Sequence, residues 1–258
     1  MQNNIFLGLF VGHNIVTLNE VDSTNTYIKQ ALSKSKPFAE GTVIMAVDQS
    51  AGRGQTHNSW LSQAGKNLTC SILLKPLFLD VNKQFQLNQA MSLALNDVLL
   101  RHFGDSAKIK WPNDSYIGEN KVAGMLIENI VQGNQLKYSI IGIGLNVNQT
   151  DFPASLTNVG SFKKLLHIDY DLQSILVEIC AAVEARYIQL KAGKFNLLHS
   201  EYLKQLYQVN EWKSYKFDGI IQRGRISGVS DQGYLQVETD RGLRDFGTKE
   251  IHFIRPTV

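Results

Sequence analysis

The spacing of hydrophobic and polar positions divides the chain into a run of mixed elements and a shorter run of strands. Short alternating runs open it, and Asn14–Val21 is the clearest candidate strand. Asp22-Ser23-Thr24-Asn25 then places four N-cap residue types in a row, which predicts a helix through about Leu32. Gly41–Val47, rich in β-branched residues, reads as a buried strand. Apolar periodicity stops between Asp48 and Lys66, where Gly52, Gly54 and Gly65 lie among polar residues. A loop of that length inside a compact domain is usually functional or disordered. Asn67–Leu74 is a strand, and apolar residues at Phe85, Leu87, Met91, Leu95, Val98 and Leu99 predict a helix over Asn82–Phe103. Lys108–Trp111 is a short strand ended by Pro112; Lys121–Val131 and Gln135–Val147 are antiparallel strands joined at Gly133-Asn134. Asp151–Lys164 is a crossing loop, and Leu172–Lys191 and Phe195–Tyr207 are helices.

The texture changes after about Asn210. Trp212–Ile254 consists of short alternating runs broken by Asp218-Gly219, Asp231-Gln232-Gly233 and Arg241-Gly242, the pattern of a small all-β module of about five strands such as an SH3-like barrel. The expected class is α+β, with residues 1–210 as the larger domain and 211–258 as the β module.

With 258 residues, 43% hydrophobic and 19% charged, the composition is that of an ordinary globular protein. The net charge of +3 is too mild to argue for nucleic acid as a partner, but it suits anionic small ligands. Cys70 and Cys180 sit in apolar runs and read as buried thiols, without disulfide or metal-site spacing. Met1–Val11 has no basic n-region, and no apolar stretch approaches the roughly 18 residues that span a bilayer.

Four segments carry more than packing requires. Ser23-Thr24-Asn25 caps a helix, and the same three side chains can also recognise a polar head group. In Asp48–Trp60, the Gly52-Arg53-Gly54 triplet allows close approach of an anion and sets a guanidinium beside it, and Trp60 offers a flat face; a flexible exposed loop is the alternative. Lys110-Trp111-Pro112-Asn113-Asp114 is followed by Asn120-Lys121-Val122-Ala123-Gly124. Here Asp114 or Asn113 can hold Mg²⁺ and Lys121 can neutralise charge on an α-phosphate, or the segment is a turn with solvated charges. In Ile141-Gly142-Ile143-Gly144-Leu145-Asn146 two alternating glycines leave one strand face without side chains. Neither a P-loop nor a dinucleotide-binding fingerprint is present.

Gly-Arg-Gly followed by Trp, Lys-Trp-Pro-Asn-Asp, Lys-x-Ala-Gly and Gly-x-Gly-x-Asn-x-Asn, in this order from Ser23 to Asn148 and ahead of a small β module, resemble the biotin–protein ligases. The resemblance implies a catalytic domain on a mixed sheet with an SH3-like barrel behind it. It implies a cytoplasmic biotin–[acetyl-CoA-carboxylase] ligase that uses Mg²⁺ and ATP to make biotinyl-5′-AMP. The biotin then passes to a lysine of a biotin carboxyl carrier protein domain. No tightly bound cofactor, nucleic acid or membrane is implied, and a homodimer is compatible. Matched by position, Ser23, Thr24, Asn25, Gln49, Arg53, Gly54, Gln55, Gly124, Leu126, Gly142 and Gly144 are expected at biotin. Lys121 would bridge its carboxylate and the phosphate, so Lys121 and Arg53 are the expected catalytic pair. Trp60, Lys110, Asn113 and Asn146 would join Lys121 at ATP, with Asp114 at Mg²⁺. Gln55 departs from the pattern, since many members have a second arginine there. Only 22 residues precede Ser23, so a form without the DNA-binding domain of some relatives is expected. The competing readings are a lipoate-type protein ligase, whose His-Asp motif is missing, and a non-catalytic biotin-dependent regulator, which would not need Lys110, Asn113 and Lys121.

Overall fold

The computed structural model describes residues 8–34, 38–55 and 58–254. Its first layer is a mixed seven-stranded sheet, built from β1 (Ile15–Val21), β2 (Val43–Gln49), β3 (Leu68–Leu74), β4 (Ala107–Lys110), β5 (Asp114–Ile117), β6 (Asn120–Gln132) and β7 (Gln135–Leu145). The order is β1-β2-β3-β7-β6-β5-β4. Only the β1–β2 pair is parallel, and α1 (Thr24–Ser33) makes the crossover between them.

The two faces of this sheet are covered differently. On one face lie α2 (Gln84–Phe103), α3 (Phe162–Leu166), α4 (Leu172–Lys191) and α5 (Phe195–Lys204), and Cys70, Ile72, Ile141, Ile143 and Leu145 join the main core there. Both cysteines are buried free thiols, and desolvation pushes both above their ordinary range, Cys180 to about 12. The other face is covered at one end by α1, where Ile28 closes a small cluster with Ile44, Leu73 and Ile140. β3 is buried throughout, including Thr69 and Ser71, which alternate with Leu68, Cys70 and Ile72.

A second, antiparallel sheet of five strands follows in the order β11-β10-β9-β8-β12: β8 (Trp212–Phe217), β9 (Ile220–Val229), β10 (Leu235–Thr239), β11 (Gly242–Phe246) and β12 (His252–Phe253). The Asp218-Gly219 hairpin turn has φ of 52° and 78°, the doubly positive geometry that glycine and aspartate tolerate. The module is seated by Trp111, whose Nε1 donates to the Gly233 carbonyl at 3.0 Å, and by the Asn210 amide, which donates to Ile226 O at 2.9 Å.

Several elements differ from the sequence reading. β2 runs on through Asp48 and Gln49, because its parallel pairing with β1 extends to Val21↔Gln49. Asp114 begins a strand, where the sequence had left a turn with solvated charges open; pairing with β4 and β6 overrides the turn residues before it. The crossing segment contains the short helix α3, and α5 stops at Lys204 instead of Tyr207. Thr56 and His57 of the glycine-containing loop lie outside the described residues. Among the described residues no helix is long and apolar enough to cross a membrane.

Candidate functional site

Strand alternation builds the floor of a pocket on the face that α1 only partly covers. Ser71, Gly142 and Leu126 are register partners across β3, β7 and β6, and Thr69, Gly144 and Gly124 form the next row. A cavity of about 150 Å³ opens over these rows. All twelve residues expected at biotin line it: Ser23, Thr24, Asn25, Gln49, Arg53, Gly54, Gln55, Lys121, Gly124, Leu126, Gly142 and Gly144, together with Trp60 and Asp114.

One end is rich in hydrogen-bond acceptors. Ser23 occupies the N-cap position of α1, yet its side chain makes no cap hydrogen bond. Gln49 takes that duty from the end of β2: its Oε1 accepts from the Thr24 amide at 2.9 Å and from the Thr24 hydroxyl at 3.1 Å. The Ser71 hydroxyl lies 2.6 Å from Asn25 Oδ1 and 2.7 Å from Thr24 Oγ1, so its one proton faces two oxygens. Ser23, Thr24, Asn25 and Ser71 are all buried. A cluster of buried oxygens with fewer protons than lone pairs matches a ligand that brings N–H groups.

The other end carries charge. Lys121 Nζ sits 2.7 Å from Asp114 Oδ2, and both side chains are about a third exposed (32%). A Cβ added to Gly124 would lie 3.1 Å from Asp114 Oδ1, 3.5 Å from Lys121 Nζ and 3.5 Å from Trp60 Cζ3, so these three side chains converge over that glycine. Among the described residues no cluster of three or more His, Cys, Asp or Glu could hold a metal ion. Asp114 is the carboxylate that the sequence reading placed at Mg²⁺, and here it is paired with Lys121.

The glycines act differently from the sequence expectation. Gly142 and Gly144 leave room, but protein side chains use it: a Cβ on Gly142 would meet Asn25 Oδ1 at 2.5 Å, and one on Gly144 would meet Trp60 Cε2 at 2.3 Å. Gly52 is required by the backbone of Trp60, whose carbonyl would stand 2.4 Å from an added Cβ. The Gly54 amide donates to Asn58 O at 2.6 Å.

The residues expected at ATP are not gathered in one place. Trp60 shares the pocket just described. Lys110 points instead toward the β module: its Nζ is 3.3 Å from the Tyr116 hydroxyl and 4.8 Å from the centre of the Phe253 ring. Strand alternation sends it there, since Ile109 and Trp111 on either side turn into the core. Asn113 accepts a hydrogen bond from Gln55 Nε2 at 2.9 Å and lines a larger neighbouring cleft of about 480 Å³ against Trp111, Gly233 and Tyr234. Asn146 closes the end of β7 by donating to Gly160 O at 3.1 Å. Trp60 Nε1, Asn113 Nδ2 and Asn146 Oδ1 are buried polar atoms without a hydrogen-bond partner among the described residues. Asn96 in the helical layer shares that property, so an orphaned atom by itself does not mark a site.

Sequence reasoning missed Glu128 and Ser71. Glu128 accepts from Asn25 Nδ2 at 2.9 Å and from Arg53 Nη2 at 2.6 Å, with Lys29 Nζ at 3.5 Å. Burial raises its pKa, but the Asn25 hydrogen bond and the charges of Arg53 and Lys29 outweigh that and hold it below the ordinary glutamate range. The available signal was spacing: Glu128 lies two and four residues beyond Leu126 and Gly124, on the same strand face.

Comparison with known proteins gives a consistent result. The family model described as Biotin/lipoate A/B protein ligase family matches residues 18–146, and the one described as Biotin protein ligase C terminal domain matches 216–251. Bifunctional ligase/repressor BirA of Bacillus subtilis (strain 168) is 28% identical over 247 residues, covering 93% of this chain and 74% of that protein. Biotin--[acetyl-CoA-carboxylase] ligase of Paracoccus denitrificans is 34% identical over 132 residues, 50% of this chain and 53% of that one. The solved structure of biotin protein ligase from Aquifex aeolicus in complex with biotin and ATP superposes with a TM-score of 0.78 at 26% identity, over 95% of this chain and 100% of that one.

Proposed function

We infer the chemistry from the premise that this chain belongs to the Biotin/lipoate A/B protein ligase family. It is a biotin–[acetyl-CoA-carboxylase] ligase that activates biotin with ATP and passes it to a carboxylase. The observation that carries the residue roles is a single pocket with buried acceptors at one end and a lysine–aspartate pair at the other.

A ureido ring presents two N–H donors and one carbonyl. Thr24 Oγ1 and Asn25 Oδ1 would accept its N–H groups, and the Ser23 hydroxyl would donate to its carbonyl. Leaving one such group unpaired on burial costs about 1–3 kcal/mol, which is how this end of the pocket would reject acids with an apolar ring. The valerate chain runs over the glycine rows toward Gly124. There the biotin carboxylate attacks the α-phosphate of Mg–ATP and pyrophosphate leaves. Lys121 neutralises the charge that builds on the phosphate oxygens, and Asp114 holds the ammonium in place until the phosphate competes for it. The carrier lysine then attacks the acyl carbon of the adenylate and releases AMP. No nucleophilic side chain is required, because positioning and charge neutralisation carry both steps.

The carrier is a biotin carboxyl carrier domain, met at the open mouth of the pocket. Asn113, Asn146 and Lys110 keep their proposed place at ATP from the Lys-Trp-Pro-Asn-Asp and Gly-x-Gly-x-Asn motifs that carry them, and Lys110 would have to leave the Tyr116 hydroxyl and the Phe253 ring to reach it. Use of ATP and two reduced, buried thiols fit a cytoplasmic setting. Biotin-dependent ATP–pyrophosphate exchange, with lipoate as control acid, tests the whole reading. Exchange with biotin alone is expected; exchange with lipoate alone, or with neither, overturns it.

A further inference from the structure

We propose that Glu128 is a positioning residue that holds the Asn25 amide and the Arg53 guanidinium in their orientation at the pocket. The proposal rests on the functional reading above. Glu128 Oε2 alone receives two donors, Asn25 Nδ2 at 2.9 Å and Arg53 Nη2 at 2.6 Å.

The first consequence concerns the asparagine. An amide presents an oxygen on one side and an NH₂ on the other, and only its partners decide which way it faces. Asn25 Nδ2 donates to Glu128 and, at 3.2 Å, to Leu126 O. An ionised carboxylate accepts only, so it forces the NH₂ toward β6 and the oxygen toward Ser71 and the glycine floor. Without Glu128 the flipped amide becomes competitive. An NH₂ would then face the ligand's N–H, a donor against a donor.

The second consequence concerns the loop. Arg53 lies between two glycines and bridges to Ser59, one residue before Trp60. Its guanidinium crosses to Glu128 on β6, which ties the loop strand carrying Trp60 to the floor that Trp60 covers. Lys29 Nζ stands 3.5 Å from the other oxygen, Oε1, with its side chain 59% exposed, so it is a bystander and a control.

The test is steady-state exchange kinetics on Glu128→Gln, Glu128→Ala, Arg53→Ala and Lys29→Ala. A neutral glutamine keeps the shape but can donate to Asn25, so it raises the biotin KM severalfold; alanine raises it about tenfold or more, the scale of losing one to two charge-assisted hydrogen bonds. In both, kcat and the ATP KM stay within about a factor of two of wild type, and Lys29→Ala changes nothing. Arg53→Ala in the Glu128→Ala background adds less than it does alone, because the two act as one unit. A Glu128→Ala enzyme with unchanged biotin KM, or with biotin and ATP affected equally, overturns the proposal. If Glu128→Ala does not fold, Glu128→Gln decides by the same criterion. Absence of exchange in the wild-type enzyme would instead sink the functional reading, so the two failures are distinct.

Discussion

Two ion-pair networks sit on opposite faces of the same sheet. On the helical face Arg186 of α4 binds Asp97 of α2 through Nε at 2.7 Å and Nη2 at 2.8 Å, and it also pairs with Glu201 of α5. Only 14% of its side chain is exposed, and the two carboxylates raise its pKa above the ordinary value despite desolvation. On the pocket face Lys121–Asp114 and Arg53–Glu128 are more open and border a cavity. The first network fastens three helices with their charges fully engaged. The second leaves its charges where a ligand can compete for them. Ion pairs of similar length thus stand in two settings, one closed among helices and one open at a pocket, and what separates them is burial and what else is within reach.

The largest effect should come from Lys121→Ala. Adenylate formation is expected to fall about a thousandfold, the scale of removing one preorganised electrostatic contact, with the melting temperature nearly unchanged. Near wild-type turnover would erase the contrast between the networks. Arg186→Ala should do the reverse: removing one partner of a buried pair costs about 3 kcal/mol of stability, while kcat per folded molecule stays the same. Denaturant unfolding beside exchange kinetics reads both. Gly144→Ala comes next. Its Cβ must displace the Trp60 ring, and overpacking of this kind costs about 1–3 kcal/mol, felt mainly as lost turnover. An alanine variant with full activity would mean that the Trp60 position is incidental. The smallest effect is in pH. Because the folded Glu128 has a depressed pKa, its stabilisation is complete above the ordinary value of 4.5 and is lost as pH falls through the lower folded value. The difference in melting temperature between wild type and Glu128→Gln should therefore be flat from neutrality to about 4.5 and shrink between there and the lower folded value.

The sequence allowed much of this pocket to be read because its parts are short contiguous motifs. Ser23-Thr24-Asn25 and Gly52-Arg53-Gly54 each carry polar groups that packing does not need. What it did not disclose depends on contacts made across the fold. Ser71 alternates with Cys70 and Ile72 along β3, but a serine on a strand discloses nothing until Thr24 and Asn25 of α1 fold over it. Glu128 reads as an ordinary polar position on a strand until Asn25, more than a hundred residues away, meets it. The contacts of Lys110 with Tyr116 and Phe253 were not legible either, because motif adjacency says nothing of which strand face a side chain takes. The room at Gly142 and Gly144 was legible; that Asn25 and Trp60 would use it was not.

The alternation of β7 has an evolutionary consequence. Ile141, Ile143 and Leu145 belong to the helical core, whereas Gly142 and Gly144 belong to the pocket. Adjacent positions of one strand therefore serve different neighbours, although Ile143 also reaches the pocket lining. Substitutions at Gly142, Gly144 and their partners Gly124 and Leu126 act first on the residues that share the pocket, Asn25 and Trp60, and leave the helical core behind the sheet untouched. A scaffold wired in this way can diversify its substrates cheaply, which suits a family whose members divide between biotin and lipoate.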